Sequence, residues 1–152
     1  MAIIRKIKGV DYLGAVEMIK ITIRTSFSNL YSESLKEAIC EKYDISNFTA
    51  SVQEIEMLVA AEDDKIIGII GLQGNRVRNF YVHPGRQGKG VGRQLYQELE
   101  KTALARKVSG LFVISSPIGE SVYERFGFIR VGPVEKERAG QKYVDTLMEK
   151  LF

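Results

Sequence analysis

Apolar positions early in the chain recur at helical spacing. Leu13, Val16, Ile19 and Ile23 fall three or four residues apart, which predicts one face of an amphipathic helix. Asp11 supplies a side chain able to cap its start. Residues 2–8 alternate weakly and read as a strand ahead of that helix. Residues 25–34, rich in Ser, Asn and Tyr, read as a loop, and 34–43 as a second helix. Residues 48–54 are ambiguous, with a short helix as one reading.

The pattern changes after Met57. Residues 57–61, 65–72 and 77–82 are apolar runs separated by Glu62-Asp63-Asp64 and Gln73-Gly74-Asn75. Short polar turns between such runs predict an antiparallel meander, and His83-Pro84-Gly85 ends it. Residues 91–106 give the clearest helix, with Leu95, Leu99, Thr102 and Ala103 on one face. Residues 111–115 form a short apolar strand, so that strand, helix and strand suggest a parallel crossover. A short helix over 120–126 stops at Gly127, and 128–131 and 143–150 close the sheet. In the last, Val144, Thr146 and Met148 alternate against Asp145, Leu147 and Glu149. The order β-α-α-β-β-β-α-β-α-β-β predicts one α/β (α+β) domain over residues 1–152, built on a mixed sheet.

Composition narrows the class. The chain has 152 residues, 45% hydrophobic and 27% charged, as expected of a soluble globular domain with a real core. Its apolar runs, such as 66–72, fall far short of the roughly 20 residues that cross a bilayer, so no membrane association is expected. Residues 1–8 mix Arg5, Lys6 and Lys8 with isoleucines and make no signal-peptide core, which leaves the cytoplasm as the default location. The lone Cys40 reads as a small buried hydrophobe. With one cysteine and one histidine, His83, no structural zinc site and no other metal is expected.

Net charge is only +3, but its distribution is uneven. Arg76, Arg78, Arg86, Lys89 and Arg93 occur without an intervening acid, which suggests a phosphate-bearing ligand. Within that stretch, glycines 88, 90 and 92 stand where a strand hands over to a helix. Small residues let the main chain approach an anion, and the first helical turn offers unpaired N–H groups and a partial positive charge. A P-loop would need Lys-Ser/Thr after Gly90, where Val91-Gly92 stand; a dinucleotide fingerprint would need glycine at Arg93. An RNA- or DNA-binding role is disfavoured, since aromatics are not interleaved with the cations as stacking platforms.

Gln87, Gly90 and Gly92 satisfy the acetyl-CoA signature [QR]-x-x-G-x-[GA]. Together with Tyr81-Val82-His83-Pro84 before it and Tyr123-Glu124-Arg125-Phe126-Gly127-Phe128 after it, this segment resembles the GNAT superfamily of N-acetyltransferases. The likeness is strong over 57–131; the N-terminal third matches mainly in element order.

The resemblance implies a fold in which the fourth strand splays from the fifth and acetyl-CoA fills the gap. Main-chain groups of Phe80, Tyr81 and Val82 would pair with the pantetheine, an amide there, Val82 foremost, polarising the thioester carbonyl. Gln87, Gly88, Lys89, Gly90, Val91 and Gly92, with Arg93, would hold the pyrophosphate. Ser116 stands where many members carry a pantetheine-bonding Asn, and Gly119 where they carry Ala. Tyr123, beside the sulfur, would protonate or hydrogen-bond the departing thiolate; a thiol has a pKa of about 8.5 and a phenol about 10. Phe27 and Tyr31 would line the acceptor cleft, where Glu33, Glu37, Glu41 and Asp44 could attract a cationic amine or mark an exposed helix face. No general base emerges: residues 111–116 contain no acid, His83 reads as a turn residue and Glu62 as a hairpin charge. The acceptor is a small-molecule or protein amine, and the resemblance leaves a homodimer open. The alternative is a non-catalytic acyl-CoA-sensing module of the same fold.

Overall fold

A computed structural model describes residues 2–152. After β1 (Ile3–Lys6), Asp11 accepts the Lys8 N–H at 2.8 Å and closes a 3-10 turn (Gly9–Asp11) that leads into α1 (Tyr12–Ser26). Next come α2 (Glu33–Glu41), α3 (Ile45–Val52), β2 (Glu56–Glu62), β3 (Lys65–Gln73) and β4 (Arg76–Val82). The chain finishes with α4 (Val91–Ala105), β5 (Gly110–Ser115), α5 (Glu120–Arg125), β6 (Ile129–Arg138) and β7 (Gln141–Leu151).

The seven strands lie in the order β1-β2-β3-β4-β5-β7-β6, and every neighbouring pair is antiparallel except β4 and β5. Helices cover both faces. Ile19, Ile23, Phe48, Val59 and Ile69 form the core beneath α1, α2 and α3; Ile70, Leu95, Leu99, Leu111 and Met148 form the one beneath α4 and α5. A strand packed on both faces cannot alternate apolar with polar, and β3 is accordingly apolar almost throughout.

Several expectations shift. α1 runs on through Ser26, so the loop expected over 25–34 shrinks. Leu13 is 61% exposed, because it stands six residues, about one and two-thirds turns, from buried Ile19; Ala15, Met18 and Thr22 complete the stripe instead. The ambiguous segment is a true helix, α3, and begins earlier than expected, since the Asp44 carboxylate accepts the Asn47 N–H at 2.7 Å and caps it. The expected element order therefore lacks one helix. β6 extends well past Val131, running through Pro133, which an edge strand tolerates because its free side needs no donor. A bulge at Val131 shifts its register against β7 from Arg130↔Met148 to Gly132↔Leu147. The alternation in β7 holds: Thr146 bonds Glu120 of α5 on one face, while Asp145 meets Tyr31 on the other. Among the described residues no helix is long and apolar enough to cross a membrane.

Candidate functional site

β4 and β5 pair only at Arg76↔Phe112, with a further bond from the Phe112 N–H to the Asn75 carbonyl at 3.0 Å. Beyond that point they part. The cause lies in β4, whose register against β3 jumps from Gly71↔Arg78 to Ile69↔Tyr81, so that Asn79 and Phe80 together oppose Ile70. Asn79 adopts φ 53° to make this bulge, and bulges bend and twist a strand away from its neighbour. A cleft of about 1090 Å³ follows the gap. The His83 N–H is given to the Ile67 carbonyl across β3 at 2.8 Å. Directions alternate along an antiparallel strand, so the Val82 N–H points the other way, into the gap.

The glycine loop closes one end of this cleft. Gly88 (φ 76°) and Gly90 (φ 86°) are left-handed, and a Cβ on either would meet nothing within 4 Å. Their smallness therefore serves backbone conformation. Gly92 serves contact instead: a Cβ there would lie 3.3 Å from the Phe80 ring and 3.6 Å from Val82. Gly90 is the N-cap of α4, and the first intrahelical bond runs from the Gln94 N–H to its carbonyl at 3.0 Å. The N–H groups of Val91, Gly92 and Arg93 have no acceptor within the helix, and no acid stands in the first turn. Gln87 donates its side-chain amide to the Val82 carbonyl at 2.9 Å and to Ser26 Oγ at 3.3 Å, fastening the loop to β4 and α1.

Arg86 is not a free cation. It pairs with Glu62 at 2.8 Å, and that guanidinium holds the Glu62 carboxyl below its ordinary range. Glu62 is thus more than a hairpin charge. Lys89 and Arg93 remain exposed at the loop. The Val91 side chain is buried in the core, and neither it nor Lys89 lines the cleft. His83 Nδ1 accepts the Gly85 N–H at 3.0 Å and stays in the turn.

On the α5 side, Tyr123 lines the cleft edge-on to Phe80, with ring centroids 5.9 Å apart, and to Phe128 at 5.4 Å. Its hydroxyl makes no hydrogen bond with any described residue, and burial pushes its pKa above the ordinary phenol value. Ser116 lines the cleft nearby. At Gly119 a Cβ would lie 2.7 Å from Ser115 Oγ and 3.4 Å from the Tyr123 ring, so a larger residue there needs the Ser115 hydroxyl to turn away.

Phe27 and Tyr31 both line the opposite wall, with centroids 5.5 Å apart. The Tyr31 hydroxyl donates to Asp145 Oδ1 at 3.3 Å, and Lys136 bonds the other oxygen at 2.8 Å. Tyr43 and Tyr81 share a hydroxyl–hydroxyl bond of 2.9 Å, and burial raises both pKa values. Of the two readings of the acidic residues, the exposed helix face holds for Glu33, Glu37 and Glu41 of α2. Glu37 pairs with Arg24 at 3.0 Å, Glu33 with Lys36 at 2.6 Å, Asp44 caps α3, and none of them nor Glu41 lines the cleft. Instead Lys42, Arg76, Arg78 and Lys136 line it, alongside Asp145. Lys136 and Asp145 escaped the sequence reading because β6 was expected to end at Val131; the alternation of β7 was the available signal for Asp145.

The family described as the acetyltransferase (GNAT) domain matches residues 25–152. A GCN5-related N-acetyltransferase from Rhodopseudomonas palustris, also described as an aminotransferase of class II, superposes with a TM-score of 0.93 at 25% identity, covering 100% of this chain and 96% of that one. The PaiA N-acetyltransferase of Thermoplasma acidophilum, solved in complex with coenzyme A, gives 0.79 at 24% identity and covers 100% and 99%. The ribosomal-protein-S18-alanine N-acetyltransferase of Escherichia coli gives 0.73 at 15%, covering 99% and 94%. The last two likenesses concern the fold.

Proposed function

The chain belongs to the GNAT acetyltransferase family, and from that premise we propose that it transfers an acetyl group from acetyl-CoA to a primary amine by direct attack in a ternary complex. The observation that carries the reading is the splayed β4–β5 gap, with free helix-start N–H groups at one end and the unbonded Tyr123 hydroxyl along its side. The fit is chemical as well as spatial. Left-handed Gly88 and Gly90 leave open space above the start of α4, which suits a bulky diphosphate. Coenzyme A, when bound, supplies the thioester; the chain positions and polarises it.

The amides of Val91, Gly92 and Arg93 hold the pyrophosphate, with Gly88 and Gly90 shaping the loop and Lys89 and Arg93 adding charge. Gln87 acts through Val82 and Ser26, as a positioning residue. The open edge of β4 at Phe80, Tyr81 and Val82 takes the pantetheine as an added strand, and Ser116 offers a hydroxyl from the other side. The Val82 N–H faces the carbonyl oxygen, where charge develops as the amine nitrogen bonds to the carbonyl carbon. As the carbon–sulfur bond breaks, the Tyr123 phenol gives its proton to the thiolate and recovers one from solvent, while the amine's surplus proton leaves to water. Phe27 and Tyr31 wall the acceptor.

Thiol release from acetyl-CoA on adding amines tests this reading. Amine-dependent release with formation of the N-acetyl product is expected. Tight acetyl-CoA binding without release under any amine would replace transfer with a sensing role.

A further inference from the structure

The acceptor side of the cleft is strongly cationic. Lys42 follows α2, Arg76 and Arg78 lie on one face of β4, and Lys136 comes from β6; all four line the cleft. Arg138, two residues beyond Lys136, adds its charge to the same neighbourhood, acting with Lys136 and Arg78 on Lys42. Asp145 is the acid that meets them, and it already holds Lys136 and the Tyr31 hydroxyl. Among the described residues, Lys42, Arg76, Arg78 and Arg138 have no carboxylate within salt-bridge distance. Arg78 gives one N–H to Gln73 at 2.9 Å, and the buried Nε atoms of Arg76 and Arg138 have no partner at all.

Like charges held this close repel, and unpaired buried donors are costly. The glycine loop cannot relieve them, since it opens α4 on the opposite face of the sheet. Gln141, at the β6–β7 turn, takes a bond from Ser32 at 2.8 Å and gives one to Ser34 at 2.9 Å, tying the hairpin that carries Lys136 to the start of α2. Unpaired cations from the end of α2 and from β4 thus meet Lys136 of β6 in one cleft, which suits a compact anion.

We propose that the acceptor is a small amine bearing an anionic group, a carboxylate or a phosphate, which seats among Lys42, Arg76, Arg78 and Lys136. The inference rests on the acetyl-transfer reading and deepens it. A guanidinium fork suits either anion, whereas a polyamine would bring further positive charge into a cationic wall.

The test compares matched acceptors of equal length with acetyl-CoA: ω-amino carboxylates, ω-aminoalkyl phosphates, the corresponding amino amides, and diamines. At least tenfold higher kcat/KM is expected for one anionic series over amides and diamines, and the better series identifies the anion. Arg78→Gln and, at an exposed position, Lys42→Gln should each shrink that preference severalfold, while acetyl-CoA still raises the thermal midpoint of both. Equal or better use of diamines overturns the inference and leaves acetyl transfer standing, as does acetylation confined to acidic peptides. If no amine reacts, N-acetylated acids and their amides are titrated into the CoA-saturated protein. Selective binding of the acids, weakened by either substitution, upholds the anion site while transfer falls; equal binding removes both.

Discussion

The Gln87 side-chain amide reaches the Val82 carbonyl at 2.9 Å, so the first residue of the glycine loop is fastened to the last residue of β4. Loop and strand are thereby held in one geometry across the gap. Replacing Gln87 with Ala removes that bond and the weaker one to Ser26 from an exposed site. One hydrogen bond contributes about 1 kcal/mol, so acetyl-CoA affinity measured by calorimetry should fall roughly 3- to 10-fold with little change in thermal midpoint. Unchanged affinity would show that the loop keeps its shape without the tether.

Gly90 and Gly92 should respond differently to a methyl group. Gly90 has open space but φ 86°, so Gly90→Ala strains the backbone by about 1–2 kcal/mol. Gly92 has helical backbone and the Phe80 ring 3.3 Å from a built Cβ, so Gly92→Ala, which the signature's Gly-or-Ala position allows, makes that ring give by a few tenths of an ångström. Weakened acetyl-CoA binding is expected in Gly90→Ala, and near-normal binding in Gly92→Ala. Only Gly92→Ala should perturb the amide resonances of Phe80 and Val82 in the protein without ligand. Shifts of the same size in Gly90→Ala would contradict this division.

Tyr123→Phe isolates the hydroxyl. That group bonds no described residue, so its loss should change stability by less than about 0.5 kcal/mol. If the phenol protonates the thiolate, kcat should drop about 10- to 100-fold, at the low end of general acid catalysis because thiolate leaves readily, with acetyl-CoA affinity retained. Burial raises the Tyr123 pKa, so the acid form persists as pH rises, and wild-type kcat should show no tyrosine-dependent decline below about pH 10. A decline near pH 8 that vanishes in the Phe variant would refute the assignment.

What the sequence made legible was local. The left-handed glycine turn at the start of α4 could be read because it sits in six consecutive residues between a strand and a helix. The α3 start is equally local, but the spacing of Asp44 from Glu33, Glu37 and Glu41 reads as one charged helix face and hides its role as a cap. Contacts between distant residues were beyond reach: Arg86 meets Glu62 across 24 positions, Gln87 meets Ser26 across 61, and Tyr31 meets Asp145 across 114. Each depends on which strands become neighbours. The cationic wall was missed for the same reason: the strand expected over 128–131 lies at the sheet edge, where it continues through Pro133 to Lys136 and Arg138.

Arg5 and Asp11 join β1 to the entry of α1 through two bonds of 2.7 and 2.9 Å, and Asp11 is almost fully buried. Asp11→Asn leaves the guanidinium without its charge partner and should cost about 2–3 kcal/mol in urea unfolding. The Arg5 hydrogen bonds hold the Asp11 pKa below its ordinary value of 3.8. A depressed carboxyl contributes stability that is present above the unfolded value, about 4, and is lost as pH falls through the folded value. The gap between wild type and Asp11→Asn should therefore narrow below pH 4; a constant gap would mean that the carboxylate charge is not the stabilising element.

Lys42 gives the acceptor wall a pH signature. Desolvation first, then the charges of Arg138, Lys136 and Arg78, lower its pKa to about 8, with Asp145 opposing and the Tyr43 ring 5.2 Å beneath the ammonium. The residue as a whole is exposed, so the neighbouring cations are the firmer cause. An anion seated beside Lys42 favours its charged form and raises that pKa. By linkage, binding is strongest below about pH 8 and weakens as pH rises through it. An N-acetylated ω-amino carboxylate isolates the effect, because it has no amine and its carboxylate stays ionised throughout. Its dissociation constant for the CoA-bound protein should rise about 3- to 10-fold between pH 7 and 9.5, tenfold being one pKa unit of coupling. Lys42→Arg, charged at every pH, should bind as the wild type does at pH 7 and stay flat, and Lys42→Gln should be flat and weak. A pH dependence that survives in both variants would assign the titration to another group.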